Sequence, residues 1–230
     1  VDLGLGSYWH EIIEVLRTII PVYDQVNRAI SLGKDAEYRG HGIRNRVEQG
    51  NVVLDAGSGY GNMSKEALRQ CGDLQIAMLD PIQEMLAKAK TEFHGKNLLI
   101  SGVFEYLSFK DNTFDAVMCG YSFRDAISMR TAIAEFHRVL KDNGRLIIVD
   151  IGKPDNAFNR AGVSFYLKFI MGILAFLVAG SMGLKFRAIY GTYKRLPRNA
   201  EMKLMLREKF SKVEFETRMM GGAIVVAAYK

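Results

Sequence analysis

"VVLDAGSGYGNMS", Val52 to Ser64, runs an apolar strand into an acid and then into three glycines at alternate positions. As strand, loop and helix start, it is the first crossover of an open α/β sheet, and ligands bind such sheets beyond the carboxyl ends of the strands. Gly57, Gly59 and Gly61 let the backbone pass close to a ligand, and the helix that follows offers free amides to an anion. A dinucleotide loop reads G-x-G-x-x-G, whereas here the third glycine comes one residue early. Asp55, just ahead of the loop, disfavours a pyrophosphate and favours a ligand that carries an ammonium group.

The next apolar run ends in "AMLDP", which puts Asp80 where a carboxylate can accept both hydroxyls of a ribose. An amino acid at one end and an adenosine at the other describe S-adenosylmethionine. The alternative is an ordinary tight turn with Asp80 as a solvated strand end.

Further strands are expected at Leu74 to Leu79, Leu98 to Ser101, Phe114 to Cys119 and Arg145 to Ile151, after the first at Val52 to Ala56. Helices fall between them at about Met63 to Gln70, Ile82 to Phe93 and Met129 to Lys141. That alternation implies right-handed crossovers and a parallel sheet with helices on both faces. A helix at about Ala200 to Lys209 follows, then strands at Val213 to Arg218 and Ala223 to Tyr229, which form an antiparallel edge hairpin through Gly221 and Gly222. The fold class is α/β, with a seven-stranded, mostly parallel sheet. Residues 1–50, where Ile12, Ile13, Val15, Leu16, Ile19 and Ile20 share a broad apolar face interrupted at Pro21, read as a helical cap on a domain spanning 51–230.

Composition excludes some classes. At 49% hydrophobic and 24% charged residues the chain has the makeup of a globular protein. Its net charge of +6 comes from 31 basic and 25 acidic residues without a block of like charge. This suits weak attraction to an anionic lipid surface better than nucleic-acid binding. Cys71 and Cys119 lie far apart and outside any metal-binding spacing, which predicts reduced thiols and an intracellular, cytoplasmic protein. No histidine has partners at ligand spacing, so no metal is expected. Val1 in place of methionine suggests a trimmed start, and no export signal is visible.

One apolar run stands out. "FIMGILAFLVAGSMGL", Phe169 to Leu184, is uncharged but shorter than the ~18 to 20 residues that span a bilayer. Interrupted by Gly172, Gly180 and Gly183 and flanked by Lys168, Lys185 and Arg187, it reads as a lid, inserted at about 155–195, that contacts a membrane peripherally. The competing reading is a plain core helix.

"VLDAGSGYG" resembles the first motif of class I methyltransferases and "LDPIQEML" their second. "FKDNTFDAVMCGYSFRDA", Phe109 to Ala126, and "EFHRVLKDNGRLIIVDIGKPD", Glu135 to Asp155, resemble the ubiquinone/menaquinone C-methyltransferases of the UbiE/COQ5 family. "YDQVNRAISLG", Tyr23 to Gly33, is similar to that family's N-terminal signature, and "YGTYKRLPRNAEMKLMLREKF" with "GGAIVVAAYK" to its closing segment. The resemblance implies a Rossmann-like class I fold, S-adenosylmethionine as cofactor and a prenylated quinol as methyl acceptor. It implies further that Ser58, Pro81 and Met85 join Asp55, Asp80 and the glycines around the cofactor. Gly120, directly after the fourth strand, is a cofactor neighbour, and Arg124 is the residue that would stabilise a phenolate. Tyr23, Asn27 and Tyr121 would shape the ring pocket, with Tyr190 and Tyr193 closing it from the lid.

Two positions depart from the family. It usually shows Gly-Asp-Ala after the third strand, where this chain has "GVFEYL"; Val103 cannot accept the adenine amine, leaving that task to backbone groups around Phe104. Tyr38 stands where the family often has tryptophan. A methyltransferase for another lipid or small apolar molecule therefore stays open, as does a non-catalytic module that keeps the cofactor fold. A homodimer is also left open.

Overall fold

The computed structural model describes residues 4–230; the first three positions of the expected cap, with the expected trimmed start at Val1, lie outside the described residues. The cap consists of α1 (Trp9–Ile19), α2 (Tyr23–Ile30) and α3 (Asp35–Ile43). A single tight turn, Ile20–Val22, joins α1 to α2 at Pro21, which cannot donate the hydrogen bond that a continuing helix requires. From Val52 onward the crossovers expected from the alternating pattern appear. These are β1 (Val52–Ala56), α4 (Asn62–Cys71), β2 (Gln75–Asp80), α5 (Gln83–Glu92), β3 (Leu98–Ser101), β4 (Phe114–Gly120), α6 (Met129–Val139) and β5 (Leu140–Ile151).

The lid follows as α7 (Ala157–Phe165), a wide π-helical turn at Tyr166–Ile170, α8 (Met171–Gly183) and α9 (Ala188–Arg195). The chain closes with α10 (Asn199–Arg207), β6 (Lys212–Arg218) and β7 (Ala223–Tyr229).

Within the described residues the seven strands form one sheet in the order β3-β2-β1-β4-β5-β7-β6. β1 to β5 are parallel, and β7 lies antiparallel between β5 and the edge strand β6. The order reverses between β1 and β4, so the glycine loop after β1 opens at the switch point. Alternate strand residues feed two cores. Leu54, Cys119 and Ile148 pack with Phe136 of α6 and Leu206 of α10, while Val53, Met118 and Ile147 pack with Ile43 of α3 and Ala67 of α4. That two-sided burial is why the strands read as continuous apolar runs.

Most boundaries shift from the sequence reading by a residue or two, and the largest difference is at β5, which starts at Leu140 rather than Arg145. α6 ends at Val139, not Lys141, because Leu140 turns extended and pairs with Phe114. The pairing then slips, and Ala116 meets Arg145 after a turn through Asn143 at φ 63°.

The lid is longer than its uncharged run. The helical path from Ala157 to Arg195 covers 39 residues and is long and apolar enough to cross a membrane by length and composition. Gly180, at φ 58°, bends it. Leu167, Met171 and Ala175, four residues apart, face inward, and the Tyr166 hydroxyl donates to the Ile30 carbonyl at 2.6 Å, latching the lid to α2. A third, small core of Ile19, Val26, Ala175 and Phe186 binds the cap to the lid.

Candidate active site

The three glycines of the loop all have positive φ, for separate reasons. A Cβ on Gly57 would lie 2.5 Å from the Ser122 side chain, and one on Gly61 2.4 Å from the Phe93 ring. A Cβ on Gly59 would meet nothing nearer than the Met85 sulfur at 3.9 Å. Packing therefore demands glycine at 57 and 61, whereas at 59 the space above the backbone belongs to the cavity.

That cavity, about 800 Å³ of free space counting its open mouth, is walled by the loop, by Asp55, Asp80, Pro81 and Met85, and by Val103, Phe104 and Gly120. Trp9, Ile13 and Leu16 of α1 cover it. Asp55 is fully buried; its Oδ2 accepts from the Ser64 amide and hydroxyl, while Oδ1 has no partner. Burial pushes its carboxyl up to about 6, against the pull of the Ser64 bonds. Asp80 is also pushed up to about 6 by burial; it accepts from the Gly59 and Ile82 amides at 2.8 and 2.9 Å. Each of its oxygens keeps a lone pair for a ligand hydroxyl. A buried carboxylate with one oxygen unpartnered, a bare glycine backbone and a second carboxylate fit a ligand with an ammonium at one end and a ribose at the other.

A second cavity, an apolar cleft of about 1260 Å³ with its mouth included, lies under the lid between α2, α3 and α7. Asn27, Tyr38, Val163, Tyr166 and Met171 line it, with Phe158 and Met220 exposed at its rim. Among the described residues two line both cavities, Arg39 and Tyr121. The Arg39 guanidinium lies 4.8 Å from the centre of the Tyr121 ring. Tyr121 itself sits at φ 61°, a region that side chains rarely adopt, with its N–H donating a hydrogen bond to the Val149 carbonyl.

Arg124 reaches the cleft from beneath, but its charge is already engaged: Nη1 donates to Asp150 Oδ1 at 2.8 Å and Nε lies 3.7 Å from Asp125 Oδ1. Burial works against its charge, and Asp125 and Asp150 more than offset that. Asp125, whose Oδ1 has no hydrogen-bond partner, is pushed up to about 6 by burial despite Arg124. Tyr23 and Asn27 stand over this pair, and burial raises the Tyr23 hydroxyl.

The structure thus brings together around the cavities every expected position except three: Gly61, which packs against the Phe93 ring, and the two lid tyrosines. Tyr190 and Tyr193 line neither cavity; they stack on each other, and Tyr193 is buried in the core with its hydroxyl 3.5 Å from the Arg160 carbonyl. Arg39, Asp35 and the covering Trp9 escaped the sequence reading. The one available signal was the i, i+4 spacing of Asp35 and Arg39 beside the N-terminal segment. Among the described residues no group of His, Cys, Asp and Glu could hold a metal ion.

Sheet order, glycine loop and paired carboxylates define a class I methyltransferase, an enzyme class dependent on S-adenosylmethionine. The chain belongs to the ubiE/COQ5 methyltransferase family, which it matches over residues 7–230. It is 30% identical over 225 residues to a demethylmenaquinone methyltransferase of Oceanobacillus iheyensis, covering 94% of this chain and 93% of that protein. Identity to a 2-phytyl-1,4-naphtoquinone methyltransferase of Nostoc is 31% over 174 residues, 72% of this chain and 76% of the relative. A SAM-dependent methyltransferase from Aquifex aeolicus shares the fold at a TM-score of 0.59 and 16% identity, covering 90% of this chain and 97% of that one.

Proposed function

We propose that this enzyme methylates a ring carbon of a prenylated quinol. The observation that carries the reading is the meeting of a polar cavity and an apolar cleft at Arg39 and Tyr121. Bound in the polar cavity, S-adenosylmethionine supplies an electrophilic methyl that an acceptor's electron pair displaces from sulfur, leaving S-adenosylhomocysteine. The chain's own work is alignment and exclusion of water. Asp55 would receive the ammonium and Asp80 the ribose hydroxyls, Gly59 would let the backbone approach, and Met85, Val103 and Phe104 are the cavity-wall residues that would take the adenosine. Ser58, Pro81 and Gly120 complete the walls.

The cleft takes the ring beside Tyr121 and Asn27, with Tyr23 on the side of the cofactor cavity, and the prenyl chain along Val163 and Met171. A quinol ring carbon becomes nucleophilic when a neighbouring hydroxyl gives its proton to water, and a guanidinium beside the resulting phenolate stabilises it. After the new carbon–carbon bond forms, the ring proton must leave to restore aromaticity; the Asp125 carboxylate, on the cavity wall, is the acceptor.

A polyprenyl substrate resides in a bilayer, and the lid's outer face suits one. Phe165, Phe169, Ile173, Phe176 and Leu177 are all exposed on it, Leu177 by 73%. In its most apolar stretch only 22% of residues are buried. Lys168, Lys185 and Arg187 are exposed beside this face, where anionic headgroups would meet them. On this reading the enzyme works from the cytoplasm on a membrane surface.

The test is incubation with methyl-labelled cofactor and short-chain demethylated quinols, followed by mass spectrometry for a ring-methylated product. Normal cofactor binding with no product from several quinols would overturn the quinol assignment, and a labelled product from a lipid extract would then identify the acceptor.

A further inference from the structure

Both buried arginines of the cleft could face a phenolate, and they differ in place and in charge balance. Arg124 lies between two carboxylates, Asp150 at 2.8 Å and Asp125 at 3.7 Å, so its surroundings carry net negative charge. It touches the cleft but not the cofactor cavity. Arg39 is 95% buried, since only 5% of its surface is exposed, and it has one carboxylate, Asp35, on Nη1 at 2.8 Å. Asp35 is shared in turn with the Ser31 hydroxyl at 3.1 Å. The Nε of each arginine is buried with no hydrogen-bond partner, but that of Arg39 lies close above Gly120 on the wall of the cofactor cavity, where an added Cβ would come within 3.5 Å of it. The other ionisable groups that feel the Arg39 charge are Asp55, Glu66 and the Tyr23 and Tyr121 hydroxyls.

We propose that Arg39 is the residue that receives the ionised ring hydroxyl of the acceptor at the junction of the two cavities, with Asp35 setting how much of its charge is felt there. The inference rests on the quinol reading only for the acceptor's class; any acceptor with an ionisable aromatic hydroxyl would serve. Its geometry follows from the shared wall. An acceptor carbon must lie where the methyl enters from the cofactor side, and a hydroxyl one or two atoms away on that ring then falls beside the Arg39 fork rather than beneath, at Arg124. A delocalised guanidinium stacked on the Tyr121 ring keeps its charge in this dry position, where an ammonium would be less well held.

The experiment uses the whole enzyme saturated with S-adenosylhomocysteine and the probe 4-nitro-1-naphthol, whose anion absorbs at longer wavelength than the neutral form. In the wild-type protein the bound probe should ionise about tenfold more readily than in water, the scale of one adjacent cation whose charge its carboxylate partner offsets only in part. Arg39→Gln should remove most of that gain, Asp35→Asn should increase it by about threefold as the partner charge is lost, and Arg124→Gln should leave it within about twofold. With quinol, Arg39→Gln should lower kcat rather than raise KM, with the deficit shrinking at alkaline pH as water alone ionises the acceptor, and Arg39→Lys should recover part of the loss.

A probe that fails to bind or ionises as in water, a shift that survives Arg39→Gln or vanishes in Arg124→Gln, or an Asp35→Asn protein that weakens it would each overturn the assignment. Should Arg39→Gln not fold, Asp35→Asn decides alone, since it leaves Arg39 in place. Failure of the quinol reading looks different: no quinol is methylated while the probe's ionisation still follows Arg39 and Asp35.

Discussion

Replacing Asp55 by asparagine should separate what the carboxylate does for the cofactor from what it costs the fold. Burial holds this carboxyl at about 6 rather than its ordinary 3.8. A raised carboxyl binds its proton more tightly in the folded protein than in the unfolded one, so the folded state loses ground as pH rises. The loss is absent below about pH 4, where both states are protonated, and complete above about pH 6 to 7, where both are ionised. Its size is roughly 3 kcal/mol, from about 1.4 kcal/mol for each tenfold change in proton affinity. Asparagine has no charge to desolvate, and its carbonyl oxygen can still accept the two Ser64 bonds. Its amide group meets no acceptor at the Oδ1 position, but that cost is the same at every pH and drops out of the comparison.

The stability of Asp55→Asn relative to wild type should therefore rise by roughly 3 kcal/mol between pH 4 and 7.5, about 6 to 12 °C in Tm for a chain of this size. Cofactor affinity should fall by about a hundredfold or more, because a buried partner of a charged ammonium is gone. Thermal unfolding of the cofactor-free proteins across that pH range, with calorimetry for the cofactor, measures both. A difference that stays flat with pH, or cofactor binding within threefold of wild type, would refute the account of Asp55 as a strained carboxylate kept for an ammonium.

Gly59→Ala should cost about 1 to 2 kcal/mol of stability from its positive φ yet weaken cofactor binding more than about tenfold, since the new methyl enters open cavity. Gly61→Ala should lose far more stability against the Phe93 ring; unfolding midpoints and calorimetry on both variants distinguish the two glycines. Asp80→Ala strips the acceptor from the Gly59 and Ile82 amides as well as from the ribose, and should lower cofactor affinity by roughly 1 to 3 kcal/mol by the same calorimetry. Changing Phe165, Phe169 and Leu177 together to serine should abolish co-sedimentation with vesicles rich in phosphatidylglycerol while leaving Tm within a few degrees, because these side chains are exposed in the fold. Retained sedimentation would remove the lid's outer face as the membrane contact.

The sheet was legible because its strands are buried on both sides. β1, β3 and β7 appear with the boundaries their apolar runs suggest, and the acid-glycine punctuation after β1 marks the switch point. The end of α6 was not, since Leu140 and Lys141 suit a helix as well as a strand and only the pairing of Leu140 with Phe114 decides. The aromatics of α9 misled for a related reason. A tyrosine pair three residues apart marks one face of a helix, but local spacing does not say whether that face meets a cavity or the core, and here Tyr193 meets the core. Arg39 escaped notice because a charged residue in a short polar helix is ordinarily solvated, and its burial depends on α3 lying across Gly120 and Tyr121, strand-end residues distant in sequence. Asp55 and Asp80 were readable because each ends or nearly ends a strand that points at the site.

The small core that joins Ile19 and Val26 of the cap to Ala175 and Phe186 of the lid ties the doors of two rooms to one hinge. α1 covers the cofactor cavity and α7 the apolar cleft, and the Tyr166 latch on Ile30 reinforces the tie between them. A displacement of the lid by whatever it rests on is then transmitted to α2 and from there to α1. On the proposed function, loading of donor and acceptor would then be linked, since opening the greasy side would also loosen the cap over the cofactor cavity.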